Sequence, residues 1–330
     1  MLPLSEIQRI SGTVDEQWRS PVADVVAECW GLPAGTARWL RSSATHVFVV
    51  PGTSDGSRQH TFLRFAPEGA PAASRLAASA ELMAGWARRG IRVVEPVPSV
   101  TGARAERVTT PIGRMVAMLV PAAEGDELAV DGLTEALASE WGAALAVLHR
   151  DGGTPAQLFA VRDQPNPREL SQGDPEFARA CAAIVAAVER LDPRVHSRGT
   201  CHGDFELDNL RFGAAGLTFF DADEAHVGWH AGDVALAVRD LTGVTLGAVP
   251  RPVLLDAFLA GYRSVRAFSG HDERSLPLHS AAVSAHLVID LRRALAAEPD
   301  DDGTDSLPEL RAHLLEHLEW HHRRVLEWRA

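Results

Sequence analysis

The stretch from Cys201 to Asp223 constrains this chain more than any other. It reads Cys201-His202-Gly203-Asp204-Phe205-Glu206-Leu207-Asp208-Asn209 and, after a short interval, Phe219-Phe220-Asp221-Ala222-Asp223. An acid is followed five residues later by an amide, and an apolar strand then ends in a second acid. The other strong constraint is an absence, since all 32 basic residues are arginine and the chain has no lysine. A phosphate loop of the Gly-Lys-Ser/Thr kind is therefore excluded, as is Schiff-base chemistry with pyridoxal phosphate. No Gly-x-Gly occurs either, which removes a dinucleotide fingerprint.

Phosphoryl transfer from a nucleotide uses one carboxylate to receive or orient the acceptor hydroxyl. It also uses a carboxylate and an amide oxygen to hold the magnesium that neutralises the phosphate oxygens. Asp204 fits the first role, and Asn209 with Asp221 fits the second. In protein kinases the base-bearing loop reads His-Arg-Asp, with Asn five residues after the Asp and a further Asp on the next hairpin. Here Gly203 replaces the Arg, and Phe-Asp-Ala replaces Asp-Phe-Gly. With Gly228-Trp229-His230-Ala231-Gly232-Asp233 further on, the pattern resembles the aminoglycoside phosphotransferase and choline kinase superfamily.

The resemblance runs from about residue 36 to residue 265 and is strongest at 202–233. It implies an α+β, bilobal protein-kinase-like fold. A small antiparallel-sheet lobe over 1–120 would bind nucleotide, and a large, mostly helical lobe over 121–330 would carry the catalytic loop and the acceptor site. It also implies that Asp233 braces the loop and that His202 supports it without acting as the base. ATP or GTP is the implied donor and magnesium the implied cofactor.

Apolar spacing places the elements. A leading helix is expected over 15–31, strands at Trp39–Arg41, His46–Val50 and Thr61–Phe65, a turn at Pro51–Ser57, and a helix over Ser74–Arg89. Strands near Val93–Val97 and Met115–Val120 complete the small sheet. The resemblance assigns phosphate binding to Arg64, where the superfamily places Lys or, in some branches, Arg. Arginine can grip phosphates bidentately, though it is bulkier than an ammonium. Glu81 would pair with that cation and fix it, Ser42 and Ser43 would lie in the glycine-free loop over the phosphates, and the backbone around Leu119, Val120 and Ala122 would meet the base. Pro121 has no N–H to offer there. Asp223 is expected to be a further metal or loop contact.

Beyond Pro121–Gly125, which resembles the family's interlobe hinge, the pattern turns helical: Thr134–Arg150, Pro175–Leu191, 231–242, 250–268, 275–297 and 307–328. Residues 151–173 and Pro299–Asp305 read as loops, the first of them shaping the acceptor site with the terminal helices, and Ser306 with Glu309 makes a capping-box start. His313, His317 and His321 fall on one helix face, which reads as a surface or interface histidine stripe rather than a metal site. Cys201 and His202, adjacent in an extended segment, point to opposite faces and do not make a nucleophile–base pair.

At 330 residues, 46% hydrophobic and 23% charged, the chain can build about two domain-sized cores. No apolar run approaches the roughly 18 residues of a membrane span. Three scattered cysteines suit a reducing compartment, so a cytoplasmic location is expected. Residues 1–120 carry 13 Arg and 10 acids, and residues 121–330 carry 19 Arg and 34 acids, balances of +3 and −15. The acidic part suits a cationic acceptor or is simply an acidic helical lobe, and the net −12 argues against nucleic acid as a partner. Three functions stay open: a kinase of an antibiotic (aminoglycoside, nucleoside or related natural product) that confers resistance, a metabolic kinase of homoserine, choline or a sugar, and a nucleotide-binding module with weak transfer activity.

Overall fold

The computed structural model describes residues 2–53, 59–153, 174–296 and 306–328. Most of the expected loop at 151–173 and the acidic loop at Pro299–Asp305 lie outside the described residues, as do 54–57 of the turn at Pro51–Ser57 and the side chain of Ser306. Cα packing divides the chain into two compact units. The first is built on Met1–Ala123 and also takes Phe220–Asp223, and the second on Glu124–Phe219, Glu224–Arg293 and Gly303–Ala330.

In the first unit, α1 (Leu4–Ser11) and α2 (Pro21–Ala27) precede β1 (Arg38–Ser42), β2 (His46–Val50), β3 (Thr61–Pro67), α3 (Pro71–Arg88), β4 (Glu106–Thr110) and β5 (Gly113–Pro121). The strands form an antiparallel sheet in the order β1-β2-β3-β5-β4. Side chains alternate across a strand. On β3, Leu63 and Phe65 enter the core with Phe48, Val50, Met115, Ala117 and Leu119, under Val22 and Val26 of α2. That alternation puts Arg64 on the other face, at a register opposite Val47 and Met118.

Two expectations are corrected here. The leading helix begins at Pro21 rather than near residue 15, because Trp18 adopts φ +62 and Ser20 caps Val22 N–H ahead of a proline at the first helical position. Residues 93–97 form no strand: Val93 and Val97 are isolated bridge positions, Val97 against Leu119. Pro96 and Pro98 flank Val97 and remove ladder donors. The edge strand is instead β4, which pairs Glu106 with Ala117 and Thr110 with Gly113.

The second unit is mostly helical: α4 (Glu135–Asp151), α5 (Pro175–Glu189), α6 (His230–Ala237), α7 (Arg239–Thr242), α8 (Pro252–Val265), α9 (Gly270–Ala296) and α10 (Ser306–Glu327). Two small antiparallel sheets join them, β6 (Arg198–Cys201) with β9 (His226–Trp229) and β7 (Leu210–Gly213) with β8 (Gly216–Phe219). Helices α4 and α8 approach through reciprocal glycines. A Cβ on Gly142 would stand 1.9 Å from the Phe258 carbonyl oxygen, and one on Gly261 would stand 1.9 Å from that of Ser139. The backbones can only cross this closely without side chains at those points. A second cluster packs Phe177, Cys181 and Ile184 of α5 against Ala285, Val288 and Val325. Asp174 caps α5 through Phe177 N–H (3.0 Å) and binds Arg292 (3.0 Å) and His322 (2.6 Å).

Candidate active site

The loop that carries Asp204 leaves β6 and is pinned by its backbone. His202 N–H donates to Asp233 Oδ2 (2.7 Å) and Gly203 N–H to Asp233 Oδ1 (2.8 Å). Asp233 sits in the first turn of α6, 3% exposed. Burial pushes its carboxyl up, but the hydrogen bond from His149, the largest of the opposing causes, holds it well below the usual carboxylate range. His149 of α4 bonds Asp233 through Nε2 (2.9 Å) and the Tyr262 hydroxyl of α8 through Nδ1 (2.7 Å). Burial drives the His149 pKa down despite its acidic partner. The neutral ring then donates to the carboxylate and accepts from the phenol. The close α4–α8 crossing thus reaches the loop through one buried chain of hydrogen bonds.

Gly203 adopts φ +82, and a Cβ there would lie 2.1 Å from the Glu224 carbonyl oxygen. Only glycine fits, which accounts for its place where protein kinases carry arginine. The His202 ring is fully buried, edge-on to Phe205 and Phe219 with centroids 5.3 Å away from each. It packs the loop from below. Trp141 Nε1–H holds the Phe205 carbonyl at 3.1 Å.

Asp204 emerges from this bracing half-buried. A 3-10 turn at Leu207–Asn209 folds the chain back so that Asn209 Nδ2 donates to Asp204 Oδ2 and to its backbone oxygen, both at 3.0 Å. That turn is the structural content of the five-residue offset. It also leaves Asn209 Oδ1 unbonded within the described residues. Glu206, in the same turn, pairs with Arg239. Burial and the neighbouring Asp204 charge push its carboxyl up to about 8, against the pull of Arg239.

The strand cation forms a second constellation, wholly within the first unit. Arg64 is 8% exposed, with Nη1 at 3.0 Å from Asp221 Oδ1 and Nη2 at 2.7 Å from Asp223 Oδ2. Burial lowers its pKa, but the two carboxylates more than offset that and raise it. Asp223 Oδ1 accepts from Ser79 Oγ of α3 at 2.7 Å. Asp221, two residues after β8, holds φ +63, a left-handed conformation that Asp tolerates better than most residues. Its Oδ2 makes no bond within the described residues.

Glu81 is not brought to Arg64. It is exposed on α3, and within the described residues no ion pair joins the two. Ser79, set in the buried stripe of Leu76, Ala80 and Met83, faces inward instead and was missed by sequence reasoning. The signal was available: a lone serine at helical spacing within that stripe, whereas Glu81 falls outside it. Ser42 ends β1 with Oγ on His46 Nδ1 (2.9 Å), and the Ser43 carbonyl accepts Leu2 N–H (2.7 Å). At the end of β5, Ala122 N–H donates to the His60 carbonyl and the Leu119 carbonyl accepts Val97 N–H, both at 2.8 Å, so these two groups are engaged inside the first unit. Val120 lies in β5, buried opposite Phe62.

In the first unit Asp221 Oδ2 is an open carboxylate oxygen and in the second Asn209 Oδ1 is an open amide oxygen, each of the kind that magnesium, a hard cation, takes. Asp223 fits less well, with one oxygen on Arg64 and the other on Ser79. Within the described residues, His149, Cys201 and Asp233 are the one group whose ligand atoms lie within 4.8 Å of one another. Both imidazole nitrogens and both carboxylate oxygens of that group already hold hydrogen bonds, which reads as bracing and not as a metal centre. The histidine stripe on α10 is not all at the surface, since His321 is 4% exposed and bonds Ser284 at 3.2 Å.

Comparison with known proteins agrees with this architecture. A family model described as the phosphotransferase enzyme family matches residues 42–268, and the chain belongs to that family. It is a small-molecule phosphotransferase of bilobal, kinase-like α+β fold. An uncharacterized protein of Deinococcus radiodurans is 28% identical over 299 residues, covering 87% of this chain and 84% of its own. The structure is similar to an amicoumacin kinase solved with AMP-PNP and Ca2+, at TM-score 0.75 and 14% identity over 97% of this chain and 96% of the other. It is also similar to a microcompartment-associated aminopropanol kinase, at TM-score 0.65 and 19% identity over 91% and 94%.

Proposed function

We propose that this enzyme moves the terminal phosphoryl group of ATP or GTP directly to a hydroxyl of a polar, amine-bearing natural product, in the manner of an antibiotic-modifying kinase. The observation that carries the reading is the catalytic loop. Asp204 is half-exposed on a backbone braced at His202 and Gly203 and bonded at its side by Asn209. A carboxylate held this way can take the hydroxyl proton as the acceptor oxygen attacks phosphorus in line. Arg64 orients the donor phosphates by charge and by its planar fork. Asn209 and Asp221 offer magnesium its oxygens, and the ion when bound neutralises phosphate charge. Positioning and charge stabilisation supply most of the acceleration in such reactions, and side chains held in one conformation serve that end.

The acceptor class follows from charge. Residues 121–330 carry a balance of −15, which raises the local concentration of a cationic ligand. Of the two solved relatives, one is named for amicoumacin and the other for aminopropanol. A small amino alcohol is therefore the second reading, a metabolic kinase instead of a resistance enzyme. Mass spectrometry after incubation with ATP, GTP and a mixed panel (aminoglycosides, nucleoside antibiotics, amicoumacin, aminopropanol, homoserine, choline, simple sugars) separates them. One added phosphate on an antibiotic supports the first reading, and one on an amino alcohol alone replaces it with the second.

A further inference from the structure

We infer that Asp223 is a positioning residue that anchors the phosphate-binding arginine to helix α3 through Ser79, and is not a ligand to the metal. The inference rests on the nucleotide-binding reading above and concerns how that grip is built in this chain.

A buried guanidinium has to be neutralised and hydrogen-bonded on every edge that water cannot reach. Arg64 meets this need with two acids on separate nitrogens, Asp221 on Nη1 and Asp223 on Nη2. The two acids are not equivalent. The Asp221 side chain is 23% exposed and keeps Oδ2 open, whereas the Asp223 side chain is 9% exposed and has each oxygen in a bond. The drier, fully bonded acid suits a permanent partner of the cation, and the wetter one suits exchange with a ligand. Ser79 is fully buried and gives its hydroxyl both to Asp223 Oδ1 (2.7 Å) and to the Leu76 carbonyl (3.0 Å). One hydroxyl has one proton, so these are alternatives, and the charged acceptor is the stronger of the two. The order of contacts is therefore α3, Ser79, Asp223, Arg64.

This arrangement supplies from the segment after β8 the acid that sequence reasoning sought on the helix at Glu81. It also suits arginine better than lysine. A fork of separate nitrogens can hold the anchor on one side and face Asp221 on the other, which a single ammonium does less well.

The test relocates the charge. In the double variant Asp223→Ala/Ser79→Glu, a carboxylate leaves the segment after β8 and one of similar bulk appears on α3, pointing at the same guanidinium. ATP affinity of the full chain is measured by calorimetry, once with magnesium and once in EDTA, alongside thermal unfolding of each variant. Asp223→Ala should weaken ATP about 10-fold in both conditions, since a buried cation that has lost its partner is misplaced whether or not metal is present. The double variant should recover affinity to within about 3-fold of wild type. A loss seen only with magnesium would identify Asp223 as a metal ligand and overturn the inference, as would a folded double variant no better than Asp223→Ala. Should Asp223→Ala not fold, Ser79→Ala removes one hydroxyl and should still weaken ATP about 3-fold in both conditions. Unchanged affinity in that variant overturns the anchor. If wild type itself binds no ATP in either condition, the nucleotide reading fails and the anchor falls with it, whereas ATP-binding wild type with an unaffected Asp223→Ala sinks the anchor alone.

Discussion

Adding one methyl group to the catalytic loop should nearly silence the enzyme. At Gly203 a Cβ would stand 2.1 Å from the Glu224 carbonyl oxygen. Carbon and carbonyl oxygen ordinarily approach no closer than about 3.3 Å. One of the two backbones must therefore move by roughly 1.2 Å, and the Gly203 side carries Asp204. A misplacement of about 1 Å at a reacting group costs about 10²-fold in rate. Forcing alanine into the left-handed region at φ +82 costs a further ~1–2 kcal/mol of stability. Gly90 supplies the control, since it holds φ +79 with nothing within 4 Å of its Cβ position. Gly90→Ala should share the backbone strain and keep its turnover. The assay is initial-rate transfer to the acceptor found in the panel, with ATP affinity by calorimetry and thermal unfolding of both variants. Gly203→Ala should lose about 10²-fold in turnover while ATP affinity changes little. If Gly203→Ala and Gly90→Ala fall together in stability and neither loses turnover, the close approach to Glu224 does not position the loop.

Other consequences can be checked with the same preparations. Arg64→Ala should weaken ATP binding and turnover at least about 10-fold, whereas Arg64→Lys, which keeps the charge, should retain much of both, as measured by initial rates against ATP. Asp221→Asn should weaken ATP in the presence of magnesium more than in EDTA, because a charged ligand to a hard cation becomes neutral. Calorimetry with equal losses in the two conditions would contradict that. Asp174→Ala removes the cap of α5 and its bonds to Arg292 and His322, and should lower stability by about 1 kcal/mol or more at neutral pH. Burial pushes the Asp174 carboxyl up, but the Phe177 amide, His322 and Arg292 hold it at about 2, below its ordinary 3.8. A depressed acid stabilises above its unfolded pKa and loses that contribution as pH falls through the folded one. The melting-temperature gap to wild type should hold above pH 5 and narrow below about pH 4.

How far the site could be read from sequence depended on how local its geometry is. The 3-10 turn at Leu207–Asn209 brings Asn209 back onto Asp204 within a few residues, so their offset in the chain is nearly their relation in space. The same holds for β2, β3 and β5, whose short, β-branched and apolar runs mark them as strands without reference to the rest of the chain. Contacts across long separations were less visible. Arg64 meets Asp223 across 159 positions, and nothing near either residue announces that pairing. Glu81 drew attention because it is an acid on the expected helix, but helix periodicity turns it outward, and Ser79 occupies the inward position. Asp233 was legible as a brace, whereas its continuation through His149 to Tyr262 depends on a helix crossing set by Gly142 and Gly261. That crossing is invisible until both helices are placed. The false strand at 93–97 shows the reverse error, in which apolar content outweighed two prolines that deny the ladder its donors.

The claim that Asp204 takes the acceptor proton is tested most directly by Asp204→Asn. The variant keeps the size of the side chain and a partner for Asn209 but removes the base. Turnover with the identified acceptor and ATP affinity should be measured on one preparation. Turnover should drop by about 10²- to 10⁴-fold, the range for losing a general base, with ATP affinity close to wild type. Near-normal turnover in Asp204→Asn would contradict the account.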